Sequence, residues 1–165
     1  MTTETLTARP DTRDADATEV LLASIPADLQ GQTFLVAEDR TGRVPFTLTA
    51  RGAAPTPWMR RATTKEPATA GPPEGVFDGA TLRLPRSREE LDMAVHALLS
   101  RVRPGGQLWI YGANDEGIKS VAKRLRDVCD GVEVRDARKH CRVLLFTAPQ
   151  NTEGLKTALD DWRTT

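Results

Sequence analysis

Cysteine and histidine are scarce in this chain of 165 residues, with two of each. Cys129 and Cys141 lie too far apart for a CxxC pair, so the spacing of a zinc site is missing. Two unpaired thiols suit a reducing compartment, and the cytoplasm of a bacterium or eukaryote is the expected address. No apolar run approaches the ~18 residues of a membrane span, and no membrane partner is expected. The first thirty residues lack the basic start and apolar core of a secretory leader. Aromatic residues are only 5% of the chain, and no RNA-recognition pair is among them, so sequence-specific base reading is not indicated. Neither sign of charge is in excess: 23 Lys and Arg balance 23 Asp and Glu, which argues against a generic nucleic-acid binder. What is present is a globular composition, 39% hydrophobic and 28% charged, long enough for one domain that needs no metal or disulfide staple.

Charge is unevenly spread. The first 39 residues carry two Arg against eight Asp and Glu, whereas residues 119–142 carry eight Lys and Arg against four acids. The Thr/Asp/Ala-rich opening has no apolar period, and residues 1–17 are expected to be a disordered acidic tail. A short amphipathic helix with Val20, Leu21, Leu22 and Ile25 follows, closed by Pro26 and Gly31. The run QTFLVAED then suits a buried parallel strand. Residues 41–51 can form a helix if Pro45 lies in its first turn. From Gly52 to Gly75 the prolines exclude a long helix or a central strand. A short strand around Trp58 fits, and the loop from Thr63 to Pro73 is expected to be mobile.

The second half is strongly periodic. Ser87 and Glu90 form a capping box ahead of Leu91, Ala94, Val95, Leu98, Leu99 and Val102 at helical spacing. Pro104-Gly105-Gly106 ends that helix, and QLWIYG is a strand. A helix carrying Ile118, Val121, Ala122, Leu125 and Val128 comes next. Strands near 131–135 and 142–148 are joined by the basic turn DARKHC, and a last helix spans about 152–162. Strands alternating with helices imply a mostly parallel sheet with helices on both faces. The final strands are too close in sequence for a crossover, so they form an antiparallel hairpin.

The run LPRSREELDMAVHALLSRVRPGGQLWIYGANDEG resembles the second half of a class I S-adenosylmethionine-dependent methyltransferase fold, in which a PGG-Leu turn feeds a strand. More narrowly, GANDEGIKSVAKRL is similar to a segment in the N-terminal half of two-domain ribosomal-RNA guanine-N2 methyltransferases. The resemblance covers residues 18–150 and implies a Rossmann-like α/β domain. Residues 151–165 would be a C-terminal helix or a connector to a catalytic domain, supplied in cis or in trans.

The chemistry of that family is not matched. A cofactor loop needs several glycines after the first strand; here Glu38, Asp39 and Gly42 stand in a vestigial loop with a single glycine. An acid at the end of the second strand, which would hold ribose hydroxyls, is missing around residues 55–60. Where guanine-N2 enzymes carry Asn-Pro-Pro-aromatic, this chain has Leu84-Pro85-Arg86-Ser87. The resemblance therefore implies a degenerate first domain with no catalytic residue and no cofactor of its own, supporting ribosomal RNA binding and the catalytic half. Two other readings stay open. One is a small active methyltransferase binding S-adenosylmethionine through atypical residues; the other is a stand-alone interaction module.

Gly112 and Asn114 open a segment, Gly112 to Gly117, that can be read as a phosphate loop or as a helix cap. Asp115 and Glu116 oppose phosphate but suit the positive end of a helix dipole, so capping is the plainer reading. Lys119, Lys123, Arg124, Arg138 and Lys139 are the candidate RNA contacts, against the plain alternative of a solvated face. His96 reads as a packed or surface histidine. His140 and Cys141, adjacent on a strand, would point to opposite faces and could not act as a pair. Trp58, Trp109 and Trp162 read as packing groups, Trp58 also as a loop residue able to contact a partner.

Overall fold

The computed structural model describes residues 2–59, 71–151 and 155, with side chains from residue 12 onward. In chain order the elements are α1 (Thr2–Ser24), β1 (Thr33–Ala37), α2 (Arg43–Ala50), β2 (Ala54–Trp58), β3 (Phe77–Arg83), α3 (Arg88–Leu99) and β4 (Val102–Ala113). Two 3-10 turns, Asn114–Glu116 and Ile118–Ser120, lead into α4 (Val121–Arg124), then β5 (Gly131–Arg138) and β6 (Cys141–Thr147). One six-stranded sheet has the order β2-β1-β3-β4-β6-β5. The first four strands are mutually parallel, and β6 runs antiparallel to both β4 and β5. This is the expected mostly parallel α/β sheet with a terminal antiparallel hairpin.

Alternate residues of each strand enter one of two apolar layers, as the strand period of two requires. Leu35, Ala37, Leu82, Leu108, Ile110, Leu144 and Phe146 face α3 and the 118–125 segment. Phe34, Val36, Trp109, Tyr111 and Val143 face α1 and α2. Gly79 is required by this packing: a Cβ there would lie 2.8 Å from the Phe34 ring. Ser87 caps α3, its Oγ accepting the Glu90 amide at 3.1 Å, and the helix turns Leu91, Ala94, Val95, Leu98 and Leu99 into the core.

Several expectations change. The first helix begins well before residue 18 and includes the acidic stretch expected to be disordered; within it Arg13 pairs with Asp115 and Asp14 with Arg83. Pro104-Gly105-Gly106 does not end α3, which stops at Leu99; it forms an irregular entry to β4 with Gly105 at φ 77°. The expected helix after residue 117 is broken into short turns around Gly117 (φ 93°), although Ile118, Val121 and Leu125 are buried as the period demands. Trp58 keeps its expected place, buried as a packing group at the end of the short strand β2, and the alternative of an exposed loop residue falls away. The basic turn shrinks to Lys139-His140, since Asp136–Arg138 belong to β5. The loop over 63–73 falls mostly outside the described residues, and so does the last helix with Trp162, apart from Leu155, which is helical and buried.

Candidate functional site

Strand order reverses between β1 and β3: the chain leaves β1 for β2 on one side and returns to β3 on the other. Open α/β sheets form their ligand crevice outside the carboxyl ends of the strands at such a point. Here the walls are the turn after β1, with Glu38 and Arg40, and the segment after β3, with Leu84, Pro85 and Arg86. Arg13 and Asp14 of α1, with Asp115 and Glu116 from the end of β4, complete the rim.

The β1 turn is closed on itself. Asp39 Oδ1 accepts the Thr41 hydroxyl at 2.7 Å and the Thr41 amide at 3.2 Å, while Oδ2 accepts the Gly42 amide at 3.0 Å. Thr41 Oγ1 in turn accepts the Arg43 amide at 3.0 Å. The amides that would meet a ligand are thus already satisfied by local side chains, which is the usual role of Asp and Thr at a helix start. Gly42 provides the left-handed turn (φ 74°) that leads into α2, and Glu38 holds φ 63° without being glycine, its amide donating to the Trp58 carbonyl.

Arg83, the last residue of β3, fills the floor. Its side chain is 6% exposed, with Nε 2.8 Å from Asp14 Oδ1 and Nη1 and Nη2 at 2.8 and 3.0 Å from the two oxygens of Glu116. Burial works against the guanidinium charge, but Glu116 and Asp14 outweigh it and hold the group protonated. Burial also opposes ionisation of Glu116, yet Arg83 and the Ala113 amide, which donates to Oε1 at 2.8 Å, keep its pKa below the ordinary value. A two-toothed Arg–carboxylate contact plus a second carboxylate is the arrangement in which a buried charge is best compensated. Beside it, Tyr111 is fully buried and its phenol is pushed far above the usual range by burial. Inside these groups only a recess of about 30 Å³ remains, lined also by Glu38 and Glu90; the outer crevice is open and near 430 Å³.

Residues 59–165 match the family model described as methyltransferase small domain N-terminal. The chain belongs to this family. Relatives named ribosomal RNA small subunit methyltransferase C are similar to parts of it. The one from Marinomonas sp. is 37% identical over 89 residues, which is 54% of this chain and 25% of that protein. The one from Pseudoalteromonas atlantica is 40% identical over 65 residues, 39% of this chain and 19% of that protein. The chain thus spans about a quarter or less of the length of these curated relatives. Among solved structures, a T. thermophilus 16S rRNA N2 methyltransferase in complex with AdoMet and guanosine superposes with a TM-score of 0.69 at 20% identity, over 85% of this chain and 40% of that one. Human methyltransferase-like protein 13 in complex with SAH gives 0.54 at 14% identity, over 87% and 84%. At these identities the superpositions show the fold alone, that of a class I methyltransferase.

In this N-terminal methyltransferase domain the sequence candidates have varied surroundings. Glu38 lines the crevice, Asp39 serves its own turn and Gly42 starts a helix. Gly112 is needed for packing rather than ligand approach, since a Cβ would lie 2.9 Å from Leu84 Cβ. Asn114 is held through its backbone to the His140 carbonyl, and its Oδ1 is buried with no hydrogen-bond partner among the described residues. It lines a separate 390 Å³ groove with Lys139, His140 and Cys141.

The five basic candidates are divided. Lys119, Lys123 and Arg124 lie on the segment that packs on the α3 side of the sheet, where Arg124 pairs with Asp92 at 2.7 Å. Arg138 pairs with Asp136 at 2.9 Å, and Lys139 pairs with Glu19 of α1, on the opposite side. His140 is exposed while Cys141 is buried with its thiol pushed up by burial, so the two do not form a reactive pair. Cys129 is likewise pushed up, to about 12. Among the described residues no cluster of metal-ligating side chains is present, and no helix is long and apolar enough to cross a membrane.

Sequence reasoning missed Arg83 and Asp14. The available signal was one charged residue inside the apolar run FDGATLRL, a pattern that in a central strand requires a partner. Which partner it finds, from α1 and from the turn after β4, is a tertiary matter with no local trace.

Proposed function

We propose that this domain is a non-catalytic methyltransferase-like unit that supports RNA binding and the catalytic half of a ribosomal-RNA guanine-N2 methyltransferase. The observation that carries this reading is the satisfied turn and floor of the crevice. S-adenosylmethionine needs free backbone amides after β1 and room beside them at the floor. Asp39 and Thr41 hold the Thr41, Gly42 and Arg43 amides and the Arg83 ion triad occupies the floor, so the open crevice of about 430 Å³ lies outside these groups. Leu84-Pro85-Arg86-Ser87 offers no side-chain amide to receive a guanine amino group. The residues do not fit the cofactor, and no transfer step is assigned to them. Ribosomal RNA and a catalytic domain, in cis or in trans, are the partners this reading names, with the cytoplasm as the setting.

RNA contact would use Lys119, Lys123, Arg138 and Lys139, whose exposed ion pairs, where they have them, are weak enough to exchange for phosphates. Two measurements test the proposal. Incubated with labelled S-adenosylmethionine and ribosomal RNA, the chain alone should incorporate no methyl group; incorporation would overturn the non-catalytic half. Changing those four residues to Ala should flatten the salt dependence of RNA binding by up to roughly 3 units, at about 0.7 per phosphate contact. An unchanged slope would reduce residues 119–142 to a solvated face.

A further inference from the structure

The outer crevice has a charge pattern that the ion triad does not explain. Four arginines, Arg13, Arg40, Arg83 and Arg86, line it against three carboxylates, Asp14, Asp115 and Glu116. Asp14 and Glu116 are committed to Arg83, and Asp115 to Arg13 at 2.7 Å. Two guanidiniums are left at the mouth. Arg40, on the turn after β1, forms only a long ion pair with Glu38 at 4.0 Å, beyond hydrogen-bond range, and Arg86, after β3, lines the crevice with no ion pair among the described residues. Both are exposed, one from each wall of the switch point.

We infer that this switch-point crevice is an anion site in which Arg40 and Arg86 clamp a phosphodiester of an RNA strand. The proposal rests on the RNA-supporting role proposed above but places a contact outside the basic stretch 119–142. The shape selects the ligand class. Glu38 and Glu90 line the inner recess, which is the size of a water, so an anion is kept at the mouth and no base or cofactor body can enter. A ligand held there must be recognised by its charge from outside, as a backbone phosphate on a strand is. Arginine suits this because its planar fork meets two phosphate oxygens at once. Leu84 and Pro85 lie on the same wall as Arg86, and the carboxylates nearest the two arginines, Glu38 and Glu90, line the inner recess rather than the outer crevice.

The test measures binding of a labelled single-stranded RNA to the 165-residue chain across a salt series. For the Arg40→Gln/Arg86→Gln variant the expected result is about tenfold weaker binding at low salt, the scale of lost charge-assisted hydrogen bonds. The salt slope should fall by up to roughly 1.4 units for two phosphate contacts. A control with equal charge change at the amino end of β4, outside both proposed RNA contacts, Arg101→Gln/Arg103→Gln, should stay within about twofold. Arg40→Lys/Arg86→Lys should regain most of the slope but less of the affinity, which separates charge from fork geometry. Inorganic phosphate should compete only at concentrations far above the RNA, whereas equal competition would mean a free-anion site and overturn the strand assignment. If the Gln variant binds as wild type does while the 119–139 variant is weakened, the crevice proposal fails and the broader RNA role stands. If wild type binds no RNA, both fail.

Discussion

Beneath α3 and at the carboxyl ends of the same strands, one sheet presents two different kinds of interior. Under α3 the inward side chains are all apolar, and Leu98, Leu99, Leu108 and Ile110 are inaccessible to solvent. At the rim, the space that an α/β crevice keeps for a ligand holds Arg83 with Asp14 and Glu116, and a turn whose amides are taken by Asp39. The first region is maintained by area and shape, which many sequences satisfy. The second depends on three side chains from distant elements meeting within hydrogen-bond distance. The sheet is thus held by area and shape, while the charged groups at its rim are paired with each other rather than left bare.

Removing apolar volume should have the largest effect. Leu98→Ala should destabilise the domain by about 3–4 kcal/mol, because a fully buried leucine leaves a cavity that the flanking strands cannot close. Urea unfolding checks this; a loss below about 1 kcal/mol would mean that the α3 layer is loosely packed.

Arg83→Ala should come next, at about 2–3 kcal/mol, below the cost of breaking a fully buried pair because Asp14 and Glu116 are each more than a quarter exposed. It should also change the acid response. Glu116 has its pKa lowered in the folded state, so its contribution is present above the ordinary carboxylate value and is lost as pH falls through the lowered one. Wild type should lose stability below about pH 4.5, and Arg83→Ala should lose less of it over that window. Parallel acid titrations of the two proteins would contradict the triad. Arg83→Met, which fills similar volume without charge, would separate packing from ion pairing.

Ser87→Ala should cost about 1 kcal/mol, the worth of one helix N-cap. The smallest expectation concerns reactivity. Burial raises the thiols of Cys129, to about 12, and of Cys141, so alkylation of the native chain should be much slower than in urea. Equal rates would place one of them outside the core.

Legibility in the sequence followed the same division. α3, its Ser87 cap, β4, the closing hairpin and the class I likeness were readable because apolar period, cap chemistry and loop length are local. In the 1–17 segment the acids suggest a solvated tail, whereas the structure places Thr2–Ser24 in a helix with Asp14 opposite Arg83. The helix after Gly117 was overextended because the inward residues Ile118, Val121 and Leu125 keep a helical spacing even when the backbone between them breaks into turns. At the site, the missing glycines and the missing Asn-Pro-Pro were visible as departures from a motif. The groups now at the rim were not, since the pairs that Arg83 makes with Asp14 and Glu116 span 69 and 33 positions of chain and the Arg13–Asp115 pair beside them spans 102.

Calorimetric titration of the 165-residue chain with S-adenosylmethionine tests the central claim most directly. A crevice whose amides and floor are already satisfied should show no binding tighter than ~1 mM, about −4 kcal/mol. Binding in the micromolar range, lost on changing Glu38 or Asp39 to Ala, would contradict it and would mean that the cofactor is held by the very residues that here close the turn.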